Sequence, residues 1–221
     1  MHVPEELGEP VKAVGRRERM LEFAAALLMA CATLGIAWSG YQAARWSGVQ
    51  SREYALATST RATENRLSTL AGQERIQDLL NFNRWLEVSS ASTPEDQAIA
   101  DLYVRRFRDE FVPAFRAWLA EDPLHNANAV ATPLLMPQYQ VADFVKADKL
   151  DEQADVHFEA GKASTEHADK YILVTVFLAA VLFFAGISLR FAWTAMRIAI
   201  LGLGAASLGL AAVQLLSLPA H

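Results

Sequence analysis

The residues whose spacing comes closest to a chemical site are three carboxylates, Asp151, Asp155 and Glu159, which follow one another at intervals of four. On a helix this spacing places them near one face, with His157 close by in sequence. Oxygen ligands of this kind suit a hard cation such as calcium or magnesium. Carboxylate-bridged sites in helical proteins, however, use Glu-x-x-His pairs on facing helices, and the sequence has none. We therefore expect a solvated acidic face, or one paired with arginines.

Other signatures of metal binding or catalysis are weaker still. Asp122 and His125 could hold half of a metal site, but no second half is evident. The sequence has no Gly-x-Ser-x-Gly turn, phosphate-binding glycine loop or His-Glu-x-x-His helix. Cys31 is the only cysteine, which excludes an intramolecular disulfide. We expect no enzyme activity, cofactor or metal, and the net charge of −5 argues against a nucleic-acid partner.

The elements that would position any site are dominated by three apolar stretches, Met20–Trp38, Tyr171–Leu189 and Ile198–Leu218. Each is close to the roughly 20 residues that a helix needs to cross a bilayer. The sequence therefore predicts an all-α membrane protein with three transmembrane helices. A helical hairpin or bundle is predicted outside the cytoplasm between the first and second, with helices that continue directly from the transmembrane helices. A cleaved signal peptide is the alternative for the first stretch, but that stretch is longer than a typical signal core of about 7–15 residues.

Basic residues flanking the apolar stretches predict the orientation. Arg16, Arg17 and Arg19 precede the first stretch, and Arg190 and Arg197 lie between the second and third. Positive residues favour the cytoplasmic side, so the N-terminus is predicted inside and the main domain outside. The predicted order is a cytoplasmic tail 1–19, transmembrane helix 20–38, extracytoplasmic helical domain 39–170, transmembrane helix 171–189, cytoplasmic turn 190–197, transmembrane helix 198–218 and extracytoplasmic tail 219–221.

Within the extracytoplasmic segment, the absence of proline between Pro10 and Pro94 permits a long helix A over 39–89. Helix B is predicted over 94–121, with Thr93 as its N-cap and a kink at Pro113, and helix C over 138–170. Aromatic residues of B should face the membrane-distal half of A, while acidic C should face arginines of its proximal half. A compact four-helix bundle, with A broken near Ala71-Gly72, is the alternative to this tall hairpin.

The most specific local pattern is a tandem repeat at the base of helix A, Trp38-Ser39-Gly40-Tyr41-Gln42 followed by Trp46-Ser47-Gly48-Val49-Gln50. It sets small residues at the spacing of close membrane-helix contacts, a spacing that recurs in the third stretch and at Cys31-Gly35. The predicted packing residues are Ser39, Gly40, Ala43, Ala44, Ser47, Gly48, Gly202, Ala205, Ala206 and Gly209. They indicate either an interface between subunits or packing within one chain, and both interpretations stay open.

Aromatic residues near the ends of the stretches are typical anchors at the membrane surface. The predicted anchors are Trp38, Tyr41, Trp46, Tyr171 and Trp193. The layout, with Trp-Ser-Gly-Tyr-Gln at the base of a long helical insert, resembles a family of uncharacterised bacterial inner-membrane proteins over Met20–Leu189. That resemblance implies the inner membrane as location, and it brings no activity or site residues.

Two functions remain as hypotheses. The first is a non-enzymatic scaffold or partner-binding subunit that acts through its extracytoplasmic helices, as a homo-oligomer or with a membrane-protein partner in the lipid bilayer. The second is an oligomeric channel or transport component, because small-residue helices beneath an acidic stalk could form a vestibule for cations. Rows of charged residues within the apolar stretches are absent, which counts against a wide aqueous pore.

Overall fold

The computed structural model describes residues 15–91, 93–123 and 125–220. Within those ranges every regular element is helical, as predicted. The elements are α1 (Arg16–Ser89), α2 (Pro94–Arg106), α3 (Val112–Ala120), a 3₁₀ turn (Pro133–Leu135), α4 (Ala142–Ser188) and α5 (Thr194–Ser217). Helices α1, α4 and α5 are each long and apolar enough to cross a membrane. Most of the predicted cytoplasmic tail, residues 1–14, and His221 lie outside the described residues.

Helix α1 is continuous from Arg16 to Ser89, as the long helix A predicted, so the alternative with a break near Ala71-Gly72 is wrong. A single helical glycine costs only about 1 kcal/mol relative to alanine, and the 74-residue helix absorbs that cost. Helix α4 is equally continuous across the predicted boundary between residues 170 and 171. The apolar stretches and the polar segments next to them are therefore parts of single helices, as predicted.

The single helix B predicted over 94–121 is wrong, because the structure has two helices there. Helix α2 ends at Arg106 and is followed by Phe107, whose backbone is extended, and α3 begins at Val112. Pro113 lacks an N–H and its ring clashes with the carbonyl four residues earlier, so it fits the first turn of a new helix and not the interior of a long one. The predicted N-cap is confirmed, since Thr93 Oγ1 accepts a hydrogen bond from Asp96 N at 3.1 Å. Helix α4 begins at Ala142, four residues after the predicted start of helix C.

The chain divides into two compact units. The first unit contains the described residues up to Glu53 together with those from Ala160 onward, and the second contains Tyr54–Glu159. Helices α1 and α4 contribute segments to both units, α5 belongs to the first, and α2 and α3 belong to the second.

In the first unit α1 and α4 run antiparallel. Gly35 lies against Leu178, and the Trp46 ring lies 4.5 Å from the His167 ring, so positions rise along one helix as they fall along the other. The buried positions of α4 follow one another at steps of three and four, the spacing of coiled-coil seams. These are Tyr171, Val174, Leu178, Val181, Ala185 and Ser188. Of these, Val174, Leu178 and Val181 form a core with Ala32 of α1 and Ala211 of α5.

The second unit has an aromatic core between α1 and the α2–α3 segment. Its buried members are Phe82, Phe107, Phe111, Ala114, Phe115, Trp118, Leu134 and Met136. The rings of Phe82 and Trp118 meet edge to face at 5.0 Å, and Trp118 Nε1 donates to Val130 O at 2.7 Å. This confirms the predicted packing of the aromatic face of B on the distal half of helix A.

The predicted pairing of helix C with the proximal half of A is supported at one point in the second unit. Arg61 Nη2 donates to Asp155 Oδ1 at 2.7 Å, and the Arg61 guanidinium lies 5.4 Å from the centre of the Phe158 ring. The Phe158 ring in turn lies 5.6 Å from that of Tyr54. Because the Arg61–Asp155 pair is exposed to solvent, its charge contributes little to stability, and the ring contacts carry more of the packing.

Candidate functional site

The tandem repeat at the base of helix A is divided between two faces of α1. Ser39 and Ala43 are buried within the first unit. The predicted neighbouring row, Gly40, Ala44 and Gly48, is exposed along its whole length, and Ser47 is exposed too. The intramolecular interpretation therefore suits Ser39 and Ala43, while the three residues of the other row remain uncovered. We call Gly40, Ala44 and Gly48 the open row.

Glycines of α1 differ in what surrounds them. A Cβ added at Gly40 or Gly48 would meet nothing within 4 Å. A Cβ added at Gly35 would lie 2.8 Å from Leu178 Cδ1, closer than carbon atoms approach in folded proteins. Gly35 is therefore the glycine of α1 that allows close approach between helices inside the chain. The glycines of the open row have no such role within the described part of the chain.

The predicted small residues of α5 also face outward. Gly202, Ala205, Ala206 and Gly209 are all exposed, whereas Leu201, Gly204 and Ala211 are buried. A Cβ added at Gly204 would lie 3.5 Å from Phe184 Cβ, an ordinary contact distance. The inner face of α5 thus uses a different set of residues from the one that the four-residue spacing picked out.

The predicted aromatic anchors fall into two groups. Trp38, Tyr41 and Trp193 are exposed, and the rings of Trp38 and Tyr41 lie 6.1 Å apart. Trp46 and Tyr171 instead bind the end of α5, because Trp46 Nε1 and the Tyr171 hydroxyl donate to the same Pro219 carbonyl oxygen at 3.2 and 3.1 Å. We call these three residues the Pro219 clamp, which ties segments of α1 and α4 to the residues after α5.

A polar cluster that sequence reasoning missed lies in the second unit around Asp78. The Asp78 carboxylate is completely buried, and its Oδ2 accepts hydrogen bonds from Arg108 Nη1 and the Tyr139 hydroxyl, each at 3.0 Å. Arg108 also donates to Glu74 Oε2 at 2.8 Å and contacts Glu110. We call these five residues the Asp78 cluster. It fastens the α2–α3 connection and the segment before α4 to α1.

Burial shifts the pKa of two members of this cluster, Asp78 and Tyr139. Burial raises the pKa of the Asp78 carboxyl, and this outweighs the lowering effect of the Tyr139 hydrogen bond and of the Arg108 charge. Burial and the neighbouring Asp78 charge also raise the pKa of Tyr139. Asp78 Oδ1 has no hydrogen-bond partner among the described residues. A signal was present in the sequence, since Ala71, Asp78, Phe82 and Trp85 follow the buried face of α1 at steps of seven, four and three.

The candidate metal residues do not come together. Across the ranges that the structure describes, no three His, Cys, Asp or Glu side chains are placed to hold an ion. His125 Nδ1 lies 2.9 Å from Asp122 Oδ1, but both side chains are exposed. Asp155 is paired with Arg61, which agrees with the arginine-paired acidic face expected from the sequence. What the geometry offers is therefore packing surfaces and a buried polar cluster.

No family model matches the chain, and neither a curated protein nor a solved structure matches it significantly. The resemblance drawn from the layout thus remains a prediction. The structure by itself defines the class: a helical protein with three helices that are long and apolar enough to span a membrane.

Proposed function

We propose that the chain is a non-enzymatic integral membrane protein that assembles with further copies of itself. Its apolar surface supports this proposal. In the most apolar 18-residue windows of α1, α4 and α5, only 11, 33 and 17% of the residues are buried within the chain. Exposed apolar surfaces of this extent are typical of helices that meet lipid or other subunits.

The proposed location is a bacterial inner membrane, with the N-terminus in the cytoplasm and residues 39–170 outside it. Its support is the set of basic residues in the first turn of α1, Arg16, Arg17 and Arg19, together with the exposed Arg190 of the α4–α5 connection. Reporter fusions after Ser90 and after the last residue test this orientation. Both positions should report an extracytoplasmic environment, and a cytoplasmic signal at either would contradict the orientation.

The observation that carries the oligomeric proposal is the division of the tandem repeat between two faces. Ser39 and Ala43 are covered by the chain itself, whereas the open row presents Gly40, Ala44 and Gly48 on an uncovered helix surface. Small residues at this spacing let two helix backbones approach closely, which favours helix association in membranes. The extracytoplasmic helices would then be held as a scaffold by contacts at the base of α1.

The experiment is a mass measurement in lipid nanodiscs. The wild type should have the mass of two or more copies, and Gly40→Leu with Gly48→Leu should reduce it to one, because leucine keeps the backbones apart. Gly72→Leu is the matched control: it makes the same change in α1 at a glycine with nothing within 4 Å. A wild type of single-chain mass, or a double variant of unchanged mass, would overturn the proposal. If a single copy of the chain instead retained a different membrane protein, partner binding would replace self-assembly as the proposed function.

A further inference from the structure

A cavity of about 410 Å³ lies in the first unit between the last turns of α5 and the facing part of α4. His167, Lys170 and Gln214 contribute its polar lining, and Leu173 and Leu218 contribute apolar surface. Lys170 immediately precedes the second predicted transmembrane stretch, and Leu218 ends the third. The residues of the cavity thus lie at the predicted outer ends of two membrane helices.

The Pro219 clamp fixes one wall of this cavity. Pro219 lines the cavity, and its carbonyl oxygen accepts from both Trp46 and Tyr171. The Trp46 ring also packs against the His167 ring at 4.5 Å. These contacts hold the end of α5 in place, so the cavity is a preformed feature and not a gap between loose ends.

The charge of the lining is positive. Lys170 contributes an ammonium group, and none of the described residues that line the cavity carries a carboxylate. Glu166 and Asp169, the acidic neighbours of Lys170 in sequence, do not line it. The imidazole of His167 also lines the cavity, and its Nδ1 has no hydrogen-bond partner in the described part of the chain. Lysine and imidazole N–H groups donate strongly to phosphate oxygens.

We propose that this cavity binds the phosphate of an anionic phospholipid, between Lys170 and His167, with the start of an acyl chain on Leu173 and Leu218. The apolar part of the lining favours a lipid over a free phosphate, because a free phosphate would leave Leu173 and Leu218 in contact with water. The inference rests on the proposed membrane location but not on the proposed oligomer.

The test uses the full chain in nanodiscs of equal parts phosphatidylcholine and phosphatidylglycerol, followed by native mass spectrometry of the lipids that stay bound. The wild type should retain phosphatidylglycerol in preference to phosphatidylcholine. Lys170→Gln should reduce that preference about fivefold, the effect of one basic residue at an anionic lipid surface. Lys149→Gln is the matched control, because it removes the same charge from an exposed position of α4 in the second unit.

Equal retention of the two lipids by the wild type, or an equal effect of both lysine variants, would overturn the inference. A second arm adds inorganic phosphate to detergent-solubilised protein. If phosphate raises the melting temperature through Lys170 while lipid selectivity is absent, the ligand is a free anion and the lipid assignment is wrong. Failure of the chain to enter nanodiscs would overturn the membrane proposal itself. Selective lipid retention by a single-copy protein would support the inference and contradict only the oligomer.

Discussion

Helices of the first unit meet through small residues, whereas those of the second unit are separated by aromatic rings. Gly35 allows Leu178 to approach α1, and Ala32 and Ala211 line the same core. In the second unit Phe82 and Trp118 fill the corresponding space. Small contact residues suit a membrane, where close backbone packing drives association, while large rings suit water, where buried area does. This difference is the one expected if, as proposed, the first unit lies in a membrane and the second in water.

The largest expected effect comes from Phe111→Ala in the second unit. Phe111 is completely buried and touches the rings of Phe107 and Tyr139. Its loss should lower the free energy of unfolding of this unit by about 3–5 kcal/mol through a lost apolar surface and a new cavity. Hydrogen exchange measured peptide by peptide should show protection lost in the second unit and kept in the first. Phe183→Ala, at an exposed ring of α4, is the control and should change neither.

The next effect is a pH dependence confined to the second unit. Because burial raises the pKa of Asp78, the folded state binds this proton more readily than the unfolded chain. Its stabilising contribution is full below the ordinary pKa of aspartate, about 4, and is lost as pH rises through the raised value. Other titratable groups belong to the Asp78 cluster or act on it electrostatically. They are Glu74, Glu110, Arg108, Tyr139, Arg75 and Lys146.

Asp78→Asn isolates that effect, since the amide cannot titrate. As pH falls from about 7 to about 4, the wild type should gain stability relative to this variant, as followed by hydrogen exchange of the second unit. Glu74→Gln is the control, because it removes a half-buried carboxylate that also accepts from Arg108. A wild type that loses stability relative to Asp78→Asn over this range would show that Asp78 is charged and held by Arg108 throughout.

A smaller effect is expected from Gly35→Leu in the first unit. Since a Cβ alone would lie 2.8 Å from Leu178 Cδ1, the larger side chain overpacks the helix seam and should cost about 1–3 kcal/mol. The melting temperature in detergent should fall for this variant and stay close to wild type for Gly72→Leu, at a glycine with nothing within 4 Å. If both variants melt alike, close packing at Gly35 does not distinguish the first unit.

The smallest effect is stabilising. Gly72→Ala replaces a helical glycine with nothing within 4 Å, so it should raise the free energy of unfolding by about 0.5–1 kcal/mol by restricting the unfolded chain. The melting temperature should rise slightly while the mass in nanodiscs stays the same. A decrease would mean that α1 needs the glycine at this position for a bend or contact.

The sequence predicted the helices well because hydrophobic length and the absence of proline act locally. The continuity of α1 and α4 and the N-cap at Thr93 depend on such local properties. Which side of a helix is covered depends on partners distant in sequence, so spacing alone picked Gly202 and Gly209 where the structure buries Gly204. The break between α2 and α3 could be predicted only by treating Pro113 as the start of a new helix. The buried position of Asp78 could not be predicted without knowing that Arg108 and Tyr139 donate hydrogen bonds to it.

Cysteine crosslinking in native membranes tests most directly whether the two faces of α1 have different partners. In a Cys31→Ser background, which removes the only native cysteine, Ala44→Cys places a thiol in the open row and Ala43→Cys places one on the covered face. Disulfides form only between Cα atoms closer than about 7 Å. We expect oxidation to link two copies through Ala44→Cys and none through Ala43→Cys. Absence of a linked pair for Ala44→Cys, or equal linking of both variants, would contradict an interface at the open row.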